Sequence, residues 1–347
     1  MTLLCVPRKT SIIKCFRDPL KHLQCKLHTK HSNLSISECK TNKSSKMDEM
    51  SLSLMSRQLA PSLSQGRHKG QAGRIGIFGG SLEYTGAPYF SAISGLKVGA
   101  DLVHVFCSKE AATVIKSYSP ELIVHPLLDS EDAVNKIKPW LDRLHVLLIG
   151  PGLGREDAIF EVIKEIIEIG KEKCKPLVID ADGLFLISKE PSILNNYPTP
   201  GAILTPNIME FARLLGSDNP KSIKEEDAKR LFESWGPNVT LLCKGEQDIL
   251  IDNSKTVKLS LGGSGRRCGG QGDLLGGSLA VFFTWALQHK LDVDVPHDDR
   301  PMIACYSACK LIRECNSRAF KKFGRSMTAS DMIPEIHGVF DDYFELK

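Results

Sequence analysis

The stretch Gly262–Asp273, which reads GGSGRRCGGQGD, decides how this chain folds and where its chemistry lies. A β-rich run precedes it, and an apolar run, Leu274–Leu287, follows it. Glycines let backbone N–H groups turn toward a ligand without a Cβ in the way, and the start of a helix carries partial positive charge. The stretch therefore predicts a strand, a loop and a helix that together form an anion site suited to phosphate. It is not a Walker loop, because no Gly-Lys-Ser/Thr sequence follows.

Asp273 is the unusual residue of this stretch, because a carboxylate repels phosphate. A carboxylate here fits a base that takes the proton of a substrate hydroxyl while that hydroxyl attacks the γ-phosphate of a nucleotide. The alternative is a helix N-cap. The side chains of Arg266 and Arg267 could bind polyphosphate oxygens, and a solvated position on the surface is an equal alternative for each.

Outward from this stretch, β-rich runs alternate with helical patterns. The predicted strands are Arg74–Phe78, Asp101–Phe106, Leu122–Leu127, His145–Ile149, Pro176–Ile179 and Ala202–Leu204. Predicted helices are 87–98, 109–117, 131–141, 156–173, 209–215, 225–234, 273–287, 302–316 and one from about Ala329. The alternation predicts an α/β fold with a mostly parallel sheet and helices on both faces. Three later runs, Val239–Cys243, Asp248–Asp252 and Thr256–Leu261, predict an antiparallel meander that closes the sheet edge.

Glycine-rich or polar loops follow several of the predicted strands, and in a parallel sheet such loops line the ligand crevice. They are Gly79–Pro88, Gly150–Gly154, Val178–Leu184, Leu204–Arg213 and Lys244–Asp248. If the strand continues through Asp180 and Asp182, the two carboxylates point the same way and could bind Mg²⁺ or a substrate hydroxyl. The alternative is that both residues serve as turn or helix-cap residues. Asn207 fits a helix cap with Glu210 as its partner. Tight turns remain the alternative for the glycine loops, and a simple hairpin for Lys244–Asp248.

The composition excludes several classes of protein. The chain has 347 residues, of which 42% are hydrophobic and 25% charged, so a coiled coil, a collagen or a wholly disordered chain is excluded. The sequence contains no uncharged apolar stretch of about 18 residues, so no membrane span is predicted. The formal charge is +4, but residues 1–46 hold ten Lys or Arg against two Asp or Glu. The remainder is therefore mildly acidic, which argues against nucleic-acid binding.

The chain is predicted to have three parts. Residues 1–46 form a basic segment typical of an organellar transit peptide, and a disordered basic tail fits equally well. Residues 47–68 are predicted to form a short leader helix and a linker. Residues 69–347 are predicted to form the folded domain. The expected location is mitochondrial, cytoplasmic or both. The 11 cysteines include no C-x-x-C pair, which favours buried thiols in a reducing compartment over metal binding.

Taken in order, these motifs resemble those of the ATP- or ADP-dependent NAD(P)H-hydrate dehydratases of the ribokinase-like superfamily. The resemblance covers about residues 60–345. The motifs that carry it are His68–Gly76, Glu83–Tyr89, Lys97–Leu102, Gly150–Gly154, Asp180–Gly183, Leu204–Asn207 and Arg266–Leu275. In many relatives Thr or Ser lies between the two glycines that precede the aspartate, and Gln271 takes that position here.

The resemblance implies a three-layer α/β/α sandwich and repair of a damaged cofactor. The implied substrate is the S epimer of NADHX or NADPHX, in which water has added to the nicotinamide ring. ATP phosphorylates the new hydroxyl and phosphate then leaves, which restores NADH or NADPH. The resemblance also implies that Asp273 is the base and that the N–H groups of Gly270 and Gly272 stabilise the transferring phosphoryl group.

The resemblance also implies two binding segments. The residues implied to bind ATP are Lys244, Gly245, Glu246, Gln247, Asp248, Gly263, Ser264, Gly265, Arg266, Arg267, Cys268, Gly269, Gly270, Gln271 and Gly272. Those implied to contact the hydrate are Gly152, Gly154, Asn207, Ile208, Met209, Glu210, Phe211, Ala212, Arg213 and Asp273. Mg²⁺ is implied as the cofactor, with its ligands left open. A separate epimerase is implied as the functional partner, since the core is too short to include one, and a homo-oligomer is left open.

Two alternatives to a dehydratase stay open. A small-molecule kinase of the same fold would phosphorylate a vitamin-precursor alcohol and release a stable phosphoester. A catalytically silent nucleotide-binding regulator would show no ATPase activity that depends on hydrate. The identity of the product separates the dehydratase from the kinase: NAD(P)H with free phosphate in one case, a phosphorylated alcohol in the other.

Overall fold

A computed structural model describes residues 47–63, 68–289, 295–296 and 299–345. Nine strands form one sheet in the order β3-β2-β1-β4-β5-β6-β7-β8-β9. Their bounds are β1 Arg74–Phe78, β2 Leu102–Cys107, β3 Ile123–Pro126, β4 Val146–Ile149, β5 Leu177–Ile179, β6 Ala202–Leu204, β7 Val239–Cys243, β8 Asp248–Ile251 and β9 Thr256–Leu259. The first seven pair in parallel, and β8 and β9 are antiparallel. The predicted parallel sheet and antiparallel edge are both confirmed.

Helices cover both faces of the sheet. They are α1 Glu49–Ser56, α2 Gly86–Val98, α3 Lys109–Tyr118, α4 Ala133–Leu141, α5 Asp157–Glu172, α6 Ala181–Lys189, α7 Ile208–Leu214, α8 Ala228–Trp235, α9 Gln271–Gln288, α10 Arg300–Phe323, α11 Ala329–Met332 and α12 Glu335–Tyr343. Residues of α2, α3, α9 and α10 share one buried core, and those of α4 to α8 share a second. The two cores lie on opposite faces, so the fold is the three-layer sandwich expected.

The order of the strands reverses between β1 and β4. The chain leaves β1 toward α2 on one face and leaves β4 toward α5 on the other, so the loops after these strands diverge. In open parallel sheets, ligands bind in the crevice that such a divergence creates. Among the described residues, this switch point and the N-terminus of α9 are places where the topology favours a ligand site.

Helix α9 is buried on nearly all sides, from Leu274 to Ala286. It packs closely on α2, where a Cβ on Gly277 would lie 1.8 Å from the carbonyl oxygen of Ser91. Only glycine permits that approach, which fixes α9 against α2 and thereby fixes the position of its first turn.

The structure corrects three sequence expectations. The strand before Asp180 does not persist, because β5 ends at Ile179 and α6 begins at Ala181, so Asp180 and Asp182 do not point the same way. Helix α10 runs to Phe323, well beyond Asn316. The last helix is broken, since Pro334 cannot donate the next backbone hydrogen bond. A helix, α1, forms in the segment predicted as leader and linker, but its Leu52 and Met55 are buried in the core shared with α9 and α10. The basic segment 1–46 lies outside the described residues.

The cysteines in the described ranges are free thiols, and Cys107, Cys305, Cys309 and Cys315 are buried. Among the described residues, no group of three or more His, Cys, Asp or Glu side chains is arranged to hold a metal ion. No described helix is both long enough and apolar enough to cross a membrane.

Candidate active site

The candidate site lies at the N-terminus of α9, beyond the carboxyl ends of β5, β6 and β7. Gly270 is the N-cap, and its φ of +90° favours glycine. A Cβ at this position would also lie 2.7 Å from the Cβ of Ala329 and 2.9 Å from the Phe90 ring. Glycine is therefore required at position 270 for two reasons, the backbone conformation and the close packing. Asp273 follows in the first turn of the helix.

A buried ion pair lies beside this turn. The Nζ of Lys244 is 2.7 Å from Oδ1 of Asp180, whose side chain is 3% exposed, and 4.0 Å from Oε2 of Glu210. The hydroxyl of Thr205 donates to the same Asp180 oxygen at 2.7 Å. Burial lowers the pKa of Lys244, but the carboxylates of Asp180 and Glu210 outweigh burial and raise it above the ordinary value. Lys244 is thus a fixed cation among carboxylates.

Lys244 reaches these partners because the pairing of β6 and β7 continues past the strands. Asn207 and Lys244 form a parallel bridge, and the backbone N–H of Lys244 donates to the carbonyl of Pro206 at 2.8 Å. The bridge places the Lys244–Asp248 turn beside the start of α7. Two segments that are 37 positions apart in the sequence are thereby brought to one edge of the site.

Asp273 is the titratable group whose surroundings fit a base. Burial raises the pKa of Asp273 to about 7, the nearby carboxylate of Asp180 adds to the rise, and Lys244 opposes it. A base with a pKa near neutrality is ionised often enough to act and still basic enough to accept a proton. The N-cap alternative fails, because Gly270 is the N-cap and Asp273 belongs to the helix itself.

Beside this turn lies a cleft of about 580 Å³. Its lining includes Lys244, Gly245, Glu246, Asp248, Arg267, Cys268, Gln271 and Gly272. These residues come from both segments that the resemblance implies bind ATP. A second cleft of about 590 Å³ adjoins the far side of the Lys244–Gln247 turn. The two segments therefore face a common space, with Asp273 at the start of the adjoining helix.

Arg313 on α10 joins these two segments, and sequence reasoning missed it. Its guanidinium makes a bidentate pair with Asp248, at 2.6 and 2.7 Å. It also donates to the carbonyl oxygens of Gly245 and Gly262, both at 2.8 Å. One side chain thus fixes the hairpin turn relative to the glycine loop. Nothing in the sequence around Arg313 signals this role, because all its partners are distant in the chain.

The two arginines of the glycine loop have different environments. Arg266 donates to the carbonyl of Met327 at 3.2 Å and to that of Arg267 at 2.9 Å, so its guanidinium is committed to the loop. Arg267 lines the cleft and donates to the carbonyl of Gly245 at 3.3 Å. The amide of Gln271 donates to the carbonyl of Arg266 and to the sulfur of Cys268. Arg267 is therefore the one of the pair placed to meet a ligand in this cleft.

The segment 207–213 begins α7. Asn207 and Glu210 form the expected capping box: the Asn207 side chain accepts from Met209 and Glu210, and Glu210 accepts from the Asn207 N–H. Ile208 and Met209 are more than half exposed, whereas Phe211 and Ala212 are buried in the core. The exposed side of this segment is the side that a substrate would meet.

The Gly150–Gly154 loop lies against the first turn of α6. The N–H of Gly154 donates to Oδ2 of Asp182 at 3.1 Å, and Arg155 pairs with Oδ1 of the same carboxylate at 3.1 Å. A Cβ on Gly152 would lie 2.6 Å from the carbonyl oxygen of Tyr84. Asp182 therefore holds this loop in place, which is a different task from that of Asp180.

Comparison with known proteins identifies the family. A family model described as NAD(P)H-hydrate dehydratase matches residues 75–337. An ATP-dependent (S)-NAD(P)H-hydrate dehydratase from Aedes aegypti is 57% identical over 293 residues, which cover 84% of each chain. The enzyme of that name from Homo sapiens is 50% identical over 296 residues, 83% of each chain. This chain belongs to the NAD(P)H-hydrate dehydratase family. The resemblance seen in the motifs is confirmed.

The fold of this chain is also similar to that of several solved structures. An ADP/ATP-dependent NAD(P)H-hydrate dehydratase from Bacillus subtilis, co-crystallised with ATP/Mg²⁺, has a TM-score of 0.60 at 19% identity over 84% of this chain and 97% of its own. A ribokinase-like superfamily protein from Enterococcus faecalis has a TM-score of 0.69 at 19% identity, over 85% and 95%. At these identities the likeness concerns the fold, which is ribokinase-like.

Proposed function

We propose that this protein dehydrates the S epimers of NADHX and NADPHX in a reaction that consumes ATP, and so restores NADH and NADPH. The observation that carries the proposal is the position of Asp273. It lies in the first turn of a buried helix, next to glycine N–H groups, and its pKa is raised to about 7 beside a nucleotide-sized cleft. Membership of the dehydratase family supports the choice of substrate.

The chemistry needs two steps, because hydroxide is a poor leaving group and phosphate a good one. In the first, Asp273 takes the proton of the ring hydroxyl, whose oxygen attacks the γ-phosphorus of ATP as ADP leaves. In the second, the C–O bond breaks and phosphate leaves with the electron pair. The neighbouring ring carbon loses a proton, so the double bond of the dihydropyridine returns. The N–H groups at the start of α9, including those of Gly270 and Gly272, would stabilise the charge on the transferring phosphoryl group.

ATP is proposed to lie in the cleft between the Lys244–Asp248 turn and the Gly263–Gly272 loop. Lys244 and Arg267 supply positive charge toward this space. The guanidinium of Arg313 already binds Asp248 and the carbonyl oxygens of Gly245 and Gly262, so its role is to hold the two segments together. The γ-phosphate would then face the N-terminus of α9, where Asp273 meets the hydrate from the other side.

Mg²⁺ is part of the proposal as a companion of ATP. When bound, it would neutralise part of the charge on the phosphate oxygens. The residues fit it, because Mg²⁺ at nucleotides is held by one or two carboxylates together with the phosphates and water. Asp180 and Glu210 are the carboxylates that converge beside Lys244, next to this cleft, and Glu210, the less buried of the two, would hold it. Burial raises the pKa of Glu210, the carboxylate of Asp180 adds to the rise, and the cation of Lys244 opposes it.

The substrate is a dinucleotide with a pyrophosphate, and a cationic cluster fits that group. The guanidinium of Arg155 lies 4.2 Å from the centre of the Phe185 ring, the Nζ of Lys189 lies 4.9 Å from it, and that of Arg213 5.4 Å. Three cations gather here around one ring, next to the Gly154 loop and the last turn of α7. Their charge would attract the substrate phosphates.

Substitution of Gly272 tests the site without disturbing the fold. A Cβ at 272 would lie 3.6 Å from the Nζ of Lys244 and 4.0 Å from Oδ2 of Asp180, both ordinary contacts. Gly272→Ala should therefore fold normally, while its methyl group occupies space that the phosphoryl group needs. We expect kcat/KM to fall by about 100-fold, the loss typical of one impaired transition-state donor. The measurement is steady-state kinetics alongside a thermal melt.

Gly276→Ala is the matched control on the same helix. Its Cβ would meet Leu148 at 3.6 Å and Oδ2 of Asp180 at 3.7 Å, one turn further from the proposed phosphoryl position. We expect a change below about threefold for this variant. Near-normal activity of Gly272→Ala would show that the phosphoryl group does not pass this helix turn.

The decisive test of function offers the protein a mixture of R and S hydrates with ATP and Mg²⁺. The proposal predicts that the S epimer disappears and the R epimer remains, with one ADP and one free phosphate per NADH formed. A stable phosphoester without NADH would instead support the small-molecule kinase, which the family membership does not favour. We also propose that a separate epimerase converts R to S hydrate, because addition of water without an enzyme yields both.

Delivery of the chain to mitochondria by residues 1–46, a cytoplasmic form and self-association belong to the same proposal. Cleavage of the segment on import and the mass of the purified protein in solution would test them.

A further inference from the structure

The part of the glycine loop that precedes α9, residues 262–270, borders the nucleotide cleft without backbone support of its own. Strand β9 ends at Leu259 and helix α9 begins at Gln271. Within the described part of the chain, no hydrogen bond between two backbone groups involves residues 262–269. Glycine has more conformational freedom than any other residue, so such a loop has many accessible conformations unless other groups hold it. The shape of this loop therefore depends on side chains.

One of these side chains is Asn316 on α10, which is 4% exposed. Its Oδ1 accepts from the backbone N–H of Ser264 at 2.6 Å, and its Nδ2 donates to the backbone carbonyl of Arg266 at 3.3 Å. A single buried amide thus uses both its acceptor and its donor on the loop. Helix α10 is long and packs on α9, so Asn316 ties the loop to a fixed part of the fold.

A second amide reaches the same carbonyl from the other helix. The Nε2 of Gln271 donates to the carbonyl of Arg266 at 3.2 Å and to the Sγ of Cys268 at 3.0 Å. A carbonyl oxygen has two lone pairs, so Gln271 and Asn316 can bind it together. Because a peptide group is planar and trans, the two amides that fix this carbonyl also fix the direction of the Arg267 N–H.

The peptide that the two amides fix belongs to the wall of the cleft. Arg267, Cys268 and Gln271 all line it, and the guanidinium of Arg267 donates to the carbonyl of Gly245 across the cleft at 3.3 Å. A polyphosphate binds most tightly to donors and cations that already have fixed positions, because each residue that must be ordered on binding costs free energy. Holding this peptide in advance should therefore increase the affinity for a nucleotide.

We propose that Asn316 and Gln271 are positioning residues that hold the loop in its nucleotide-binding form before ATP arrives. The inference rests on the proposed binding of ATP in this cleft. Asn316 is buried, and the amide of Gln271 is directed at the Arg266 carbonyl, so neither is assigned to the reacting atoms. The two residues thus act on the affinity for ATP and not on the proton transfer to Asp273.

The test compares Asn316→Ala and Gln271→Met with two matched controls in the full chain. Ser307→Ala removes a buried hydroxyl on α10 that donates to a carbonyl of its own helix, and Gln288→Met changes the amide at the other end of α9. Calorimetry with ATP and Mg²⁺, without hydrate, should show Kd rising about tenfold in Asn316→Ala and about three- to fivefold in Gln271→Met, as the hydrogen bonds lost require. Both controls should stay within about twofold.

Two further measurements separate positioning from a general loss of stability. Amide hydrogen exchange of residues 262–270 in the free protein should be faster in both variants, whereas exchange in the strands of the sheet should not change. With hydrate and saturating ATP, kcat and KM for the hydrate should stay within about twofold of wild type. The double variant should weaken ATP binding by more than the product of the single effects, because either amide alone still holds the shared carbonyl.

An unchanged Kd for ATP in both variants would overturn the inference. Faster exchange throughout the fold, or an equal rise in KM for the hydrate, would also overturn it, because a purely structural role predicts these results. A wild type that binds ATP but restores no NADH would refute the proposed function, and weaker ATP binding in the variants would still support the positioning role. A wild type that binds no ATP would overturn both.

Discussion

Asp273→Asn should lower kcat by about 1,000-fold, while the protein still binds ATP and stays folded. Asn has nearly the same shape as Asp but cannot accept the proton of the ring hydroxyl, and a positioned base contributes typically 100- to 10,000-fold. Steady-state assay of NADH formation measures the loss. Asp182→Asn is the comparison: Asp182 holds the Gly154 loop and is not proposed to accept a proton, so its loss should raise KM for the hydrate rather than lower kcat 1,000-fold. A loss below tenfold in Asp273→Asn would remove the residue from its assigned role.

The same variant should be more stable than wild type in alkaline solution. Because the pKa of Asp273 is raised to about 7 in the folded protein, folding favours its protonated form, and stability falls as pH rises from about 4 to 7. Asn removes that pH-dependent loss, so its melting temperature at pH 8 should exceed that of wild type by roughly 2 °C or more. For wild type, kcat/KM should rise with pH through about 7, as the base becomes ionised. A pH profile that is flat there would contradict the assignment.

Lys244→Met should produce the largest loss of stability at the site. It removes the cation that pairs with Asp180 at 2.7 Å and leaves a carboxylate that is 3% exposed without its counter-charge. Breaking a buried ion pair from one side costs about 3–5 kcal/mol, and Thr205 compensates only partly. Denaturant unfolding measures the loss. Activity should fall as well, because Lys244 also lines the nucleotide cleft.

The double variant Lys244→Met with Asp180→Asn separates these two effects. Asn at position 180 leaves no unpaired charge there, so most of the lost stability should return, although Glu210 and Asp273 still lack the nearby Lys244 cation. Activity should not return, since the cation toward the nucleotide is still missing. If the double variant were as unstable as Lys244→Met, the pair would not be the source of the loss. If the double variant were active, Lys244 would have no direct part in catalysis.

Local patterns predicted most of the fold because the parallel strands are continuous apolar runs between glycine and polar loops. β1, β6 and β7 begin and end where the sequence predicts. Helix α6 was missed for a physical reason. Ala181, its first residue, has a φ of +48°, a left-handed conformation that alanine rarely adopts and no sequence pattern announces. The chain therefore turns sharply between Asp180 and Asp182, which places one toward Lys244 and the other toward Gly154.

The site was predicted to the extent that it consists of local motifs. The glycine loop, Asp273 and the Asn207 capping box are contiguous in sequence, and they could be recognised together. The partners that tune them are distant: Asp180 lies 64 positions from Lys244, and Arg313 lies 65 from Asp248. Sequence reasoning on one chain gives no distances between such groups, so the ion pair, the bidentate arginine and the two amides that hold the glycine loop needed the structure. The raised pKa of Asp273 comes first from burial, and the distant carboxylate of Asp180 adds to it.

The ribokinase-like fold serves both kinases and dehydratases, so the fold alone does not decide between them. What distinguishes the proposed reaction is the fate of the phosphoryl group. A kinase leaves it on the alcohol, whereas the dehydratase must expel it together with the oxygen that water had added. The fate of one oxygen atom therefore distinguishes the two reactions.

That atom can be followed directly. Hydrate prepared in water enriched in oxygen-18 carries the label in its ring hydroxyl, and the purified protein then converts it with unlabelled ATP. Phosphorylation followed by C–O cleavage predicts that the label appears in the inorganic phosphate, one labelled oxygen per NADH formed. Label recovered in water, with unlabelled phosphate released from ATP, would contradict the account, because the hydroxyl would then have left without ever being phosphorylated.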